Sequence, residues 1–119
     1  MKIKAVSGLT ISVKSLKKTV TFYEALGFEC RKQDAMHATL YSNWFWIDCL
    51  LIGKDPRATA EKGDGVLTYL SVENVDEFYD YLVKRKIKPA TKPQDQSWGN
   101  HEFILRDPDG HNLVIFKRK

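Results

Sequence analysis

Twice in this chain a run of alternating apolar and small residues leads straight into a run whose apolar residues recur every three or four positions. That repeat limits the fold more than any other feature. In the first copy Leu9, Ile11 and Val13 alternate with Gly8, Thr10 and Ser12 over Ser7 to Val13, the period of a half-buried strand. Leu16, Val20, Tyr23 and Leu26 then follow at helical spacing, with Ser15 placed to cap the start and Gly27 to stop the end. In the second copy Val66 to Val72 alternates, Asn74 can cap, and Val75, Phe78, Tyr79 and Leu82 recur at helical spacing before Pro89. Placing Phe22-Tyr23 on Phe78-Tyr79 also places Leu16 on Val72 and Leu26 on Leu82, an offset of 56 positions, and predicts an internal duplication.

Strand signals follow each helix. In the first half they are Phe28 to Gln33, Ala38 to Tyr41 and Trp44 to Ile52; in the second, Ile87 to Ala90, Glu102 to Arg106 and Asn112 to Lys117. Asp107-Pro108-Asp109-Gly110 predicts a tight turn that makes the last two strands a hairpin. Each half therefore reads β-α-β-β-β, and the fold class is α+β: two βαβββ modules forming a curled mixed sheet around a cleft. The modules are expected at about 1–53 and 66–119, joined by a linker over 54–65 that holds Asp55-Pro56 and Gly63-Asp64-Gly65. A second loop, Thr91 to Asn100, is polar except for Trp98, which is expected to be a lid over a cleft or a contact with a partner subunit.

At 119 residues the chain is expected to be a single domain. No apolar run approaches the length of a membrane span and no secretory leader opens the sequence, so the expected location is the cytoplasm with no membrane partner. Cys30 and Cys49 lack metal-site or redox spacing and read as two buried thiols. The net charge of +4 is spread over helical faces and a Lys117-Arg118-Lys119 tail without a nucleic-acid-binding motif, so no nucleic-acid partner is expected.

Ser15-Leu16-Lys17-Lys18-Thr19-Val20-Thr21-Phe22-Tyr23-Glu24-Ala25-Leu26-Gly27-Phe28, followed much later by Asp107-Pro108-Asp109-Gly110-His111-Asn112-Leu113, resembles the vicinal oxygen chelate superfamily. That superfamily includes glyoxalase I, fosfomycin-resistance proteins, extradiol dioxygenases and bleomycin-resistance proteins. The resemblance covers essentially the whole chain. It implies that each module curls into half of a sheet-lined cleft, usually completed in a homodimer. The bleomycin-resistance type is the most similar in look, with Trp98-Gly99 before the final hairpin and a short linker between halves.

Metal-dependent relatives place His, Gln or Glu on the cleft faces of their strands. The matching positions here are Gly8, Leu67 and Val114, none of which can ligate a metal. Asp48 could occupy a ligand position used by some relatives, but a lone carboxylate makes a poor site. His37, His101 and His111 do not complete one: His37 falls in a hairpin region, His111 follows the turn, and His101 is placed beside Trp98 in the lid. No nucleophile elbow and no Gly-rich phosphate loop is present, although Asp48 and Glu102 could split acid and base roles if both face one cleft.

What the cleft offers instead is aromatic. Trp44, Trp46, Tyr69, Phe116 and Trp98 are the expected ligand-binding rings, with Thr10, Asp48 and Glu102 as polar partners. The leading expectation is a metal-independent homodimeric protein, with no cofactor, that sequesters a small aromatic or planar antibiotic-like ligand. The chain's basic charge gives a cationic ligand no long-range attraction, so neutral and anionic aromatics carry comparable weight. The alternatives are a divergent metal-dependent lyase or dioxygenase using Asp48, Glu102 and His101, and a non-catalytic interaction domain.

Overall fold

The computed structural model describes residues 1–60 and 66–119. The Gly63-Asp64-Gly65 part of the expected linker lies outside the described residues. The chain divides into two compact units, Met1–Lys62 and Gly63–Lys119.

The first unit contains β1 (Gly8–Val13), α1 (Leu16–Ala25), β2 (Glu29–Gln33), β3 (His37–Ser42) and β4 (Phe45–Leu51), with strand order β1-β4-β3-β2. β1 runs parallel to β4; the other pairs are antiparallel. Ile11, Val13, Ile47, Cys49, Ala38 and Leu40 lie on one face of the sheet and are buried with Leu16, Val20 and Tyr23 of α1. Removing this apolar surface from water is what fixes the helix on the sheet. The opposite, open face carries Thr10 and Ser12 of β1, Trp46 and Asp48 of β4, and Thr39 and Tyr41 of β3, all at matching register.

The second unit contains β5 (Leu67–Ser71), α2 (Val75–Lys84), β6 (Gln94–Asp95), β7 (Asn100–Arg106) and β8 (Asn112–Arg118), in the order β5-β8-β7-β6. Phe103, Leu105, Leu113 and Ile115 are buried with Val75 and Leu82 of α2, and Tyr79 meets Phe103 edge to face at 5.3 Å. Its open face carries Tyr69 and Ser71, Val114 and Phe116, and Glu102 and Ile104. The expected fold class is therefore observed, as two four-stranded mixed sheets each with a helix on one face.

Two expectations are corrected. The duplication is real, but its offset is 59 positions rather than 56: Ser15 and Asn74 are the two N-caps, and Tyr23 and Leu82 are the matching buried residues. Capping and burial set the register of a helix, and the repeated Phe-Tyr pair falls on non-equivalent positions. Second, Ile87 to Ala90 is not a strand. Pro89 and Pro93 have no N–H to donate to a ladder. The chain is instead stitched to β7 by Ala90 N–H on the Ile104 carbonyl at 2.8 Å and by Ile104 N–H on Thr91 Oγ1 at 2.8 Å. The turn after β7 forms as expected: Asp107 Oδ1 accepts the amides of Asp109 and His111, both at 2.9 Å, and Gly110 takes a φ of 86°.

Candidate ligand site

On the second sheet the strand alternation brings three of the expected site residues onto one face, and a fourth, Trp98, reaches it from a turn. Glu102 pairs in register with Phe116, which pairs with Ser71 on its other side, and the Tyr69 and Phe116 rings meet edge to face at 5.5 Å. Trp98 sits in the turn between β6 and β7, where Gln96 N–H reaches the Asn100 carbonyl at 2.8 Å and Gly99 takes a φ of 98°. From that turn the Trp98 indole Nε1–H donates to Glu102 Oε1 at 3.1 Å. The indole is thus directed onto the open face, and it remains 62% exposed.

Glu102 is buried, and a buried carboxylate requires hydrogen-bond donors. Asn100 Nδ2 supplies the second, also on Oε1, at 3.2 Å. Asn100 is absent from the sequence-based set; it lies two residues before Glu102 on the same strand face, so alternation alone could have identified it. Both donors converge on Oε1, and among the described residues neither reaches Oε2, the oxygen a ligand's donor would use. The combination of three rings and one carboxylate suits a flat molecule with a hydrogen-bond-donating edge.

On the first sheet Thr10 and Asp48 are register partners, as are Gly8 and Trp46. Asp48 Oδ1 accepts the Thr39 hydroxyl at 2.5 Å, a pairing the sequence did not reveal. The Ser12 hydroxyl accepts the Thr59 amide at 2.9 Å, which fastens the segment after β4 to this unit. Asp55 in that segment is buried and forks Arg57, with Nη2 to Oδ2 at 3.0 Å; this pairing holds its carboxyl below the usual carboxylate range and pushes the guanidinium up.

Trp44 does not join the face expected of it. It occupies the turn between β3 and β4 beside Asn43, whose φ is 55°, and is 72% exposed. His101 is also misplaced by the sequence reading. It follows the strand alternation onto the helix-covered side of β7, where Nε2 meets Asp76 Oδ1 at 3.0 Å, while Glu102 points to the open face. The set Asp48, Glu102 and His101 therefore does not share a face.

Residues 5–115 match the family model described as the Glyoxalase/Bleomycin resistance protein/Dioxygenase superfamily. The chain belongs to that superfamily. It is 30% identical over 122 residues to the uncharacterized protein YraH of Bacillus subtilis (strain 168), covering 92% of this chain and 94% of YraH. It is 27% identical over 117 residues to the metallothiol transferase FosB of Lysinibacillus sphaericus (strain C3-41), covering 95% of this chain and 82% of FosB. A crystal structure of a bleomycin-binding protein complexed with bleomycin shares the fold, with a TM-score of 0.71 at 24% identity over 98% of this chain and 100% of that one.

The likeness to FosB raises the question of a metal, and with it the question of which donors this chain has at the matching positions. A Cβ built on Gly8 would collide with Cδ2 and Cε3 of the Trp46 ring, so an indole fills the space where a ligating side chain would stand. Leu67 and Val114 offer only hydrocarbon, and among the described residues no three His, Cys, Asp or Glu side chains converge. These residues do not fit a metal ion held by the superfamily's positions.

Proposed function

We propose that this protein binds and sequesters a small, flat, antibiotic-like aromatic molecule without a metal, on the open face of its second sheet. One observation carries the reading: Trp98 is held by Glu102 through its Nε1–H yet keeps its ring exposed, on the sheet face that also carries Tyr69 and Phe116. An exposed indole fixed in one orientation is a prepaid stacking surface, since the ordering cost is met before the ligand arrives. Each ring contact with a cationic group contributes about 0.5–2 kcal/mol, and a donor placed on Glu102 Oε2 orients the ligand. Trp46, Thr10 and Asp48 give the first sheet a smaller face of the same chemistry. The fold shared with a bleomycin-binding protein supports bleomycin as the first probe. We read the active form as a cytoplasmic homodimer.

The test is a thermal-shift and fluorescence titration with bleomycin. Binding raises the melting temperature by mass action and changes tryptophan emission. Trp98→Ala is expected to weaken binding about tenfold or more, and Glu102→Gln to weaken a cationic ligand more than a neutral one. No response to bleomycin or to a panel of planar aromatics would leave the interaction-domain reading in its place.

A further inference from the structure

A charged cluster lies on the face of the second sheet away from Trp98. His101 stands between two carboxylates, with Nε2 at 3.0 Å from Asp76 Oδ1 on α2 and Nδ1 at 2.8 Å from Asp95 Oδ1 on β6. Asp95 Oδ2 takes the Lys119 ammonium at 2.7 Å. An imidazole serves two acceptors at once only as the doubly protonated cation. In the neutral ring one nitrogen turns a lone pair toward a carboxylate, and one contact has to open.

The other charged groups around His101 are Glu73, Lys117 and Arg118, which with Asp76 and Lys119 line a cavity of about 320 Å³ at the start of α2. Lys117 is the register partner of His101 and donates Nζ to the Glu73 carbonyl at 3.0 Å. The hydrogen bond to Asp76, followed by that to Asp95, outweighs burial and raises the His101 pKa above its usual 6.5.

The cluster connects to the ligand face through the backbone. β6 is two residues long, with Gln94 paired to Glu102 and Asp95 to His101. The turn that carries Trp98 begins at the next residue, Gln96, and Gly99 holds the Lys119 amide at 2.9 Å through its carbonyl. Asp95 and Lys119 thus flank both ends of the Trp98 turn.

We propose that charged His101 is a positioning residue for Trp98: by clamping Asp95 and Asp76 it fixes the short β6 leg, and ligand affinity on the opposite face falls when the imidazole loses its proton. The functional half of this inference rests on the ligand reading above; the structural half does not.

The experiment follows the three indole N–H resonances and the His101 ring in nitrogen-15-labelled protein from about pH 5.5 to about pH 9, with bleomycin affinity measured over the same range. Trp98 is assigned with Trp98→Phe. The expected result is a Trp98 shift with the midpoint of His101, abolished in His101→Gln, and moved to lower pH in Asp76→Asn, where one carboxylate is gone. Bleomycin affinity is expected to fall about fivefold or more through that midpoint in wild type and to stay flat in His101→Gln. A Trp98 resonance that ignores the His101 titration, or that moves alike in His101→Gln, overturns the positioning role. If Trp98 follows His101 and bleomycin fails to bind at any pH, the positioning role stands and the ligand reading falls. Asp76 is exposed, so Asp76→Asn keeps the test valid should His101→Gln fold poorly.

Discussion

Gly8 and Trp46 show how one residue can depend on another. Glycine is required at position 8 because the Trp46 ring and carbonyl lie where a Cβ would be. Gly8→Ala is therefore expected to cost about 1–3 kcal/mol in urea unfolding, as overpacked sites do, and an unchanged midpoint would mean that the ring moves aside freely. Carboxylates set the response to acid. Asp95 is held below its usual 3.8 by hydrogen bonds from Lys119 and then His101, and Asp34 by the amides of Met36 and His37. Groups with depressed pKa stabilise the fold above the ordinary value and lose that contribution as the pH falls through the native one. His101 acts in the opposite sense: its contribution is complete below about 6.5 and disappears as the pH rises through its elevated native value. Stability is expected to decline on both sides, acid and mildly alkaline, and in pH-dependent thermal melts His101→Gln should remove the alkaline decline and shrink the part of the acid decline that comes from Asp95. Among the candidate site residues, the exposure of Trp98 was legible because a lone indole in a polar loop has no core to fill. The Thr39 partner of Asp48 was not, because a hydrogen bond between strands depends on a register that the sequence does not display.

Both helices end the same way. Phe28 N–H returns to the Tyr23 carbonyl and Ile87 N–H to the Leu82 carbonyl, each at 3.0 Å, around a residue of positive φ. In α1 that residue is Gly27, at 106°; in α2 it is Lys86, at 61°. A side chain in the left-handed region costs about 1 kcal/mol that glycine avoids. Lys86→Gly is thus expected to stabilise the protein by about 0.5–1 kcal/mol in equilibrium unfolding, and a loss of stability would contradict the equivalence of the two helix ends. The helices and most strands could be read from periodicity and caps. The 56-position offset misled because Phe22-Tyr23 and Phe78-Tyr79 match in letters while Tyr23 and Leu82 match in burial. Ile87 to Ala90 misled because its apolar residues suggest a strand, while Pro89 within it and Pro93 just beyond cannot donate to a ladder.

At the scale of the molecule, the superfamily's frame is present twice, each copy a helix-backed sheet with one open face. The frame was legible because a duplicated strand-helix pattern and a distant Asp-Pro-Asp-Gly turn are both local signals. The open faces were legible only in part: alternation put Tyr69 and Phe116 on one face, as the register does, but it could not foresee that Trp44 would fall in a turn or that His101 would turn toward α2. The central claim is that this chain binds its ligand through rings and carboxylates rather than through a metal. The direct measurement is calorimetric titration of bleomycin into protein dialysed against EDTA, repeated after adding zinc or manganese. The account predicts saturable binding in EDTA with an affinity that added metal leaves unchanged; binding that appears only with metal present would contradict it.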